Sequence, residues 1–351
     1  RHAGYAVAAV VLRAAALSLI ALAVPAFGFD VEEERLFSGR AHLAELRVLS
    51  TTDSDIAAPL IEAFLETRPD LSVRYVMASS REVHAAIAEE GAPFDLVISS
   101  AMDLQMKLAN DGLARPHASE AAAALPDWAR WRDLVFGFAL EPVVTVVSLR
   151  GLDGLPVPQT RRDLIALLRE NPDRFTGRIA TYDPHISGAG YLFAAEDARR
   201  TDAFWRLAEV MGRLDARLYC CSVDMIEDLA AGEILIAYNV VGSYAATHAP
   251  RIPDAGVIEL QDFTLALLRT ALIPAGAQRP DLGAALLDYM LGPEGQALAK
   301  GPTTFPTLRL GGIELAAHIR PIRLDPGLLV GLDRMTRATF LREWDAALKQ
   351  P

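Results

Sequence analysis

Three short runs of hydroxyl residues stand where apolar segments give way to helical ones: Ser50-Thr51-Thr52-Asp53, Ser79-Ser80 and Ser99-Ser100. A fourth run, TYDPHISGAG from Thr181 to Gly190, sets Thr, Tyr, Asp, His and Ser ahead of two glycines. These residue types suit recognition better than bond making. Hydroxyls and the free N–H groups of a helix start donate to oxygen-rich groups, and the helix dipole favours negative charge there. Ser, Thr and Asp are also the preferred helix caps, but a cap needs one hydroxyl and these come in twos. Ser187 and Gly188 fall at or just before a helix start. Gly188 and Gly190 would let a backbone approach a ligand with no Cβ in the way.

Neighbouring polar residues read more plainly. Asp53 reads as a helix cap and His185 as a solvated or structural loop histidine. Arg81, just after Ser79-Ser80, fits an anion contact and a solvated helix start equally. Glu141, in a long apolar run, is either a hinge residue or a ligand contact. Cys220 and Cys221 are the two cysteines of the chain and are adjacent. Metal sites space their ligands and a bridge between neighbours is strained, so small half-buried strand residues is the expected reading. Nucleophile elbows, Walker loops, H-E-x-x-H and dinucleotide fingerprints are absent from the sequence. The expectation is a protein that is not an enzyme, with no cofactor and no metal ligand set.

The elements that must position these residues follow from periodicity. Leu46–Leu49 reads as a strand, and Ile56, Leu60, Ile61, Phe64 and Leu65 then recur at helical spacing. Leu71–Met77 alternates as a second strand, a helix follows from Arg81 to Glu90, and FDLVISS is a third, buried strand. Strands alternating with helices imply parallel pairing, in which ligands sit beyond the carboxyl ends of strands. FALEPVVTVVS is a long apolar strand able to leave this sheet, and the alternation restarts at Arg161. TLALLRTALIP is a second long strand able to bring the chain back. The fold class expected is α/β, a two-lobed clamshell with two crossover strands and the ligand in the cleft.

The 351 residues are 52% hydrophobic, 23% charged and carry a formal net charge of −11. An acidic chain with no basic run argues against nucleic acid. Near the start, AAALSLIALAV precedes PAFGFD, and the pattern is that of a signal peptide over residues 1–28. The expected limits are 44–135 plus 268–315 for the first lobe and 136–267 plus 316–351 for the second.

Four segments carry a resemblance: DLVISSAMDLQMKLANDGLA, TYDPHISGAGYLFA, AGEILIAYNVVGSYA and IPAGAQRPDLGAALLDYMLGPEGQALA. With them the chain resembles type II periplasmic solute-binding proteins of ABC importers, in the ferric-iron and phosphoglycerate-regulator branch. The resemblance implies a periplasmic, monomeric receptor that closes on a small solute and delivers it to an ABC permease. It faces the loop from Thr181 and Tyr182 to Ser187 and Gly188 into the cleft. Ferric-binding relatives carry two adjacent tyrosines where this chain has Tyr238-Asn239 and then Val240-Val241, which leaves ferric iron as an alternative. The segment IRPIRLDPGLLVGLDRMTRATFLREW resembles the regulator type, so a sensor kinase's periplasmic domain is an alternative partner. The expected ligand set is Thr51, Thr52, Ser79, Ser80, Ser99, Ser100, Thr181, Tyr182, Ser187, Gly188, Tyr238 and Asn239, around a phosphorylated or carboxylated solute.

Overall fold

The computed structural model describes residues 28–299 and 315–349. The expected signal peptide, up to residue 27, lies outside the described residues. Ala44–Ser50 pairs parallel with Leu71–Met77 on one side and Leu96–Ser99 on the other. Each of these strands is followed by a helix, Ser54–Thr67, Ser80–Ala88 and Met102–Asn110 respectively. A second parallel set joins Ile236–Val241, Ile179–Tyr182 and Arg217–Tyr219.

Two long antiparallel strands connect the sets. Val135–Ser148 pairs through Phe136–Pro142 with the strand Thr264–Pro274, and through Val143–Val147 with Ile236–Val241. Both crossing strands are apolar along almost their whole length and nearly every residue is buried. That continuity is what a strand covered on both faces requires. The charged residues of the two strands are Glu141 and Arg269, one on each, joined by a 2.6 Å ion pair.

Among the strands that the sequence does not announce is an edge strand. Glu33–Ser38 runs antiparallel along the edge of Leu71–Met77, with Leu36 exposed and Phe37 buried. The tail from residue 316, expected on the second lobe, packs along two elements. Ile319–Pro321 pairs with the second crossing strand, while Trp344 of helix Arg334–Leu348 stacks on Phe204 of helix Ala203–Arg213. Among the described residues no helix is long and apolar enough to cross a membrane.

Candidate functional site

A cleft of about 710 Å³ opens where the two parallel sets face each other. That volume suits a solute of a few hundred daltons. From the first set it takes Thr51, Asp53, Ser79, Ser80 and Ser100, together with Glu32 beside the edge strand. From the second it takes Tyr182, Ser187, Cys220, Cys221, Ser222, Val241 and Tyr244, with Arg251 at the rim.

The hydroxyls of the first wall are held by amides. Thr51 Oγ1 accepts from the Ser100 N–H at 3.1 Å, and Ser79 Oγ accepts from the Glu82 N–H at 3.3 Å, capping its helix. A hydroxyl that accepts from a backbone N–H still has its own proton to donate. Ser80 reaches across the cleft. Its Oγ accepts from the N–H groups of Gly188 at 3.0 Å and Ala189 at 3.3 Å.

This contact changes the reading of the Gly-Ala-Gly run. Ser187 caps the helix Gly188–Arg200 by accepting from Gly190 N–H at 3.0 Å. With Ser80 on the other two amides, the N–H groups expected for an anion are already occupied. The glycines serve close packing: a Cβ on Gly188 would stand 2.7 Å from Ser80 Oγ, and one on Gly190 would stand 2.4 Å from Tyr182 Cβ. Each approach needs a residue without a side chain.

The cysteines also depart from expectation. They follow the strand Arg217–Tyr219, stand half-buried on the cleft wall, and are joined to each other in a disulfide. Cys221 is the N-cap of helix Ser222–Ala230 and supplies no side-chain cap. Cys220, Cys221 and Asp224 lie close enough together to suggest a metal site. Metal binding takes thiolates, however, and these sulfurs are bonded to each other. Ser222 beside them hydrogen-bonds Tyr182 OH and accepts from Val241 N–H at 3.1 Å.

The electrostatics of the cleft are mixed. The Asp53 carboxylate accepts from Tyr244 OH at 3.1 Å, so this residue sits at the N-cap position yet turns its side chain to the cleft. Burial pushes the Asp53 carboxyl up, with the Tyr244 hydrogen bond and the Arg269 charge acting against it. Glu32 is pushed up by burial first, then by the charges of Asp53, Asp224 and Glu82. Burial likewise raises the phenols of Tyr182 and Tyr244, which keeps them protonated. At the cleft base, Arg269 spans the molecule: it pairs with Glu141, donates to Thr52 Oγ1 and lies 3.3 Å from Ser243 Oγ.

Of the expected ligand set, Thr51, Ser79, Ser80, Ser100, Tyr182 and Ser187 do converge on the cleft. The rest do not line it. Thr52 is an acceptor for Arg269, Ser99 accepts from Ala101 N–H at 3.1 Å, and Thr181 is buried within its strand. Gly188 backs onto Ser80. Tyr238 and Asn239 belong to a buried network in which both donate to Asp197, at 2.7 and 3.1 Å, beside Arg161. Their inward turn follows from a register shift between Ala237 and Val240, where Asn239 adopts φ 67°. His185, expected to be solvated or structural, pairs with Asp345 at 2.9 Å, and Arg81 donates to the His185 carbonyl. Sequence reasoning missed Glu32, the cleft role of Asp53 and the disulfide.

A family model described as bacterial extracellular solute-binding protein matches residues 46–301. The crystal structure of the substrate-binding protein of an ABC transporter from Agrobacterium tumefaciens is 32% identical, with a TM-score of 0.85, covering 91% of this chain and 99% of that one. The periplasmic binding protein AfuA from Actinobacillus pleuropneumoniae, with fructose-6-phosphate bound, is 18% identical at a TM-score of 0.68, covering 88% of this chain and 99% of its own. Iron-bound HitA from Pseudomonas aeruginosa is also 18% identical, with a TM-score of 0.66 and coverage of 87% and 99%. No curated protein sequence matches the chain.

Proposed function

The chain belongs to the bacterial extracellular solute-binding proteins of ABC transporters, and we propose that its solute is a small organic oxyanion, phosphorylated or carboxylated, that also carries hydroxyl or amine donors. The family delivers solutes to an ABC permease and implies export from the cytoplasm. The observation that carries the proposal is the hydroxyl set. Ser79, Ser80, Ser187 and Thr51 each accept from a backbone amide and keep a proton for the solute's acceptor oxygens. Glu32 and Asp53 accept from its donor groups. A bare inorganic anion would leave those carboxyls facing it unpaired, at a cost that grows with burial.

Capture proceeds by hinge closure. The lobes touch through Ser80 on Gly188 and Ala189 and through Tyr244 on Asp53, while the crossing strands flex around Glu141 and Arg269. A solute that contacts both walls binds the closed form better and shifts the population towards it. The sugar phosphate in AfuA is a precedent for this chemistry in the same fold. The missing adjacent tyrosine pair counts against a HitA-like iron site.

Ser187→Asp tests the proposal. Aspartate is also a good cap, so the helix start survives while a negative charge enters the cleft. In a thermal-shift screen of sugar phosphates, phosphoglycerates and dicarboxylates, the wild type should be stabilised by at least one compound. The variant should lose that response while melting within a few degrees of wild type. An unchanged response would place the oxyanion elsewhere.

A further inference from the structure

Beside Ser187 and Ser222, the cleft is lined by Cys220 and Cys221, whose sulfurs are bonded to each other, and by the apolar Val223 and Val241. A disulfide has no proton to donate and its sulfurs accept only weakly. What it offers is a polarizable, apolar face. Closing the bridge between neighbouring residues also fixes that face through the intervening peptide. Across the gap, Ile56 and Met77 are only partly buried and add apolar surface to the same cleft.

Phosphate, sulfate or a metal ion would gain nothing from such a face and would lose hydration against it. A solute with carbon–hydrogen surface gains by covering it. We infer that the Cys220–Cys221 disulfide is a specificity-determining contact of the cleft, selecting solutes that present an apolar carbon face along with their oxyanion. The inference rests on the oxyanion reading above and narrows it. The disulfide stands on the second wall, whereas the hydroxyl pairs stand on the first, so a bound solute lies between them with its charged group towards Ser79, Thr51 and Ser187.

The test is isothermal titration of the full chain with hexose phosphates, phosphoglycerates and dicarboxylates, alongside inorganic phosphate and sulfate as carbon-free probes. Wild type and the double variant Cys220→Ala/Cys221→Ala are compared. The best organic probe should bind wild type at least tenfold more tightly than either carbon-free ion. It should lose at least tenfold in the variant, with the melting temperature before ligand addition little changed. If the variant does not fold, wild type reduced with dithiothreitol replaces it. There the reagent's two thiols become its cyclic disulfide, and Cys220 and Cys221 each gain a hydrogen. Organic binding that survives loss of the disulfide would overturn the inference alone, as would a carbon-free ion that binds as tightly as any organic probe. Failure of every probe would remove the oxyanion reading and this inference with it.

Discussion

The two walls of the cleft are built by different means. The first presents hydroxyls at the ends of consecutive parallel strands, each steadied by an amide of its own lobe, with Ser80 reaching over as the exception. The second presents a capped helix start, two buried phenols and a disulfide, and its amides are satisfied before any solute arrives. The difference separates donating from shaping. The first wall supplies protons for a solute's oxygens, and the second supplies surface and a place for the first to dock.

Removing the residue that joins the walls should have the largest effect. Arg269→Met leaves Glu141 buried with no cation and strips Thr52 and Ser243 of their donor. Loss of one partner of a buried pair costs about 3–5 kcal/mol, which chemical denaturation would read directly. Adding Glu141→Gln should return part of it. A single-variant loss well under 1 kcal/mol would mean that the walls do not depend on this bridge. Thr52→Val belongs to the same network and should lower stability without touching the solute.

A smaller change sharpens the contrast between neighbouring serines. Ser80→Ala leaves the amides of Gly188 and Ala189 without their acceptor, and an unmet buried donor costs about 1–3 kcal/mol. Here that penalty falls on lobe contact, so small-angle scattering without solute should show a larger radius of gyration. Ser79→Ala removes a cap within one lobe, worth about 1 kcal/mol, and should leave the scattering unchanged. Equal scattering from both variants would erase the distinction between the two residues.

The smallest effect concerns charge. The carboxyls of Glu32 and Asp53 are raised by burial, so above their raised values both are ionised and repel a solute's anion. As pH falls through those values they take up protons and the repulsion fades. The affinity for an organic sulfate, whose own charge does not titrate, should therefore rise a few-fold as pH falls from neutral towards the ordinary carboxylate range. Glu32→Gln should flatten that slope. A slope of opposite sign would mean that what the ionised carboxylates accept from the solute's donor groups outweighs that repulsion.

The first wall was largely legible in the sequence, because a hydroxyl run after an apolar strand is a local signal. The crossing strands were legible too, since a long apolar run has few other uses in an α/β chain. What escaped depends on contacts between distant residues. Asp53 has the sequence of a cap, but the Ser54 N–H is taken by Glu33 at 3.2 Å, twenty-one positions away in the chain, and Asp53 turns to Tyr244. The glycines of the Thr181–Gly190 run promise access for a ligand, yet Gly188 admits Ser80 and Gly190 admits Tyr182. Tyr238 and Asn239 sit at a strand end like the serines, but a register shift turns them to Asp197. The edge strand Glu33–Ser38, which borders Glu32, carries three charged residues among its six and gives little periodic signal.

Native mass spectrometry of the protein isolated from its own cells without refolding tests the central claim most directly. The account predicts an added organic mass of up to a few hundred daltons that leaves on partial unfolding and contains a phosphate or carboxylate group. An added mass equal to iron, or to an inorganic anion alone, would contradict it.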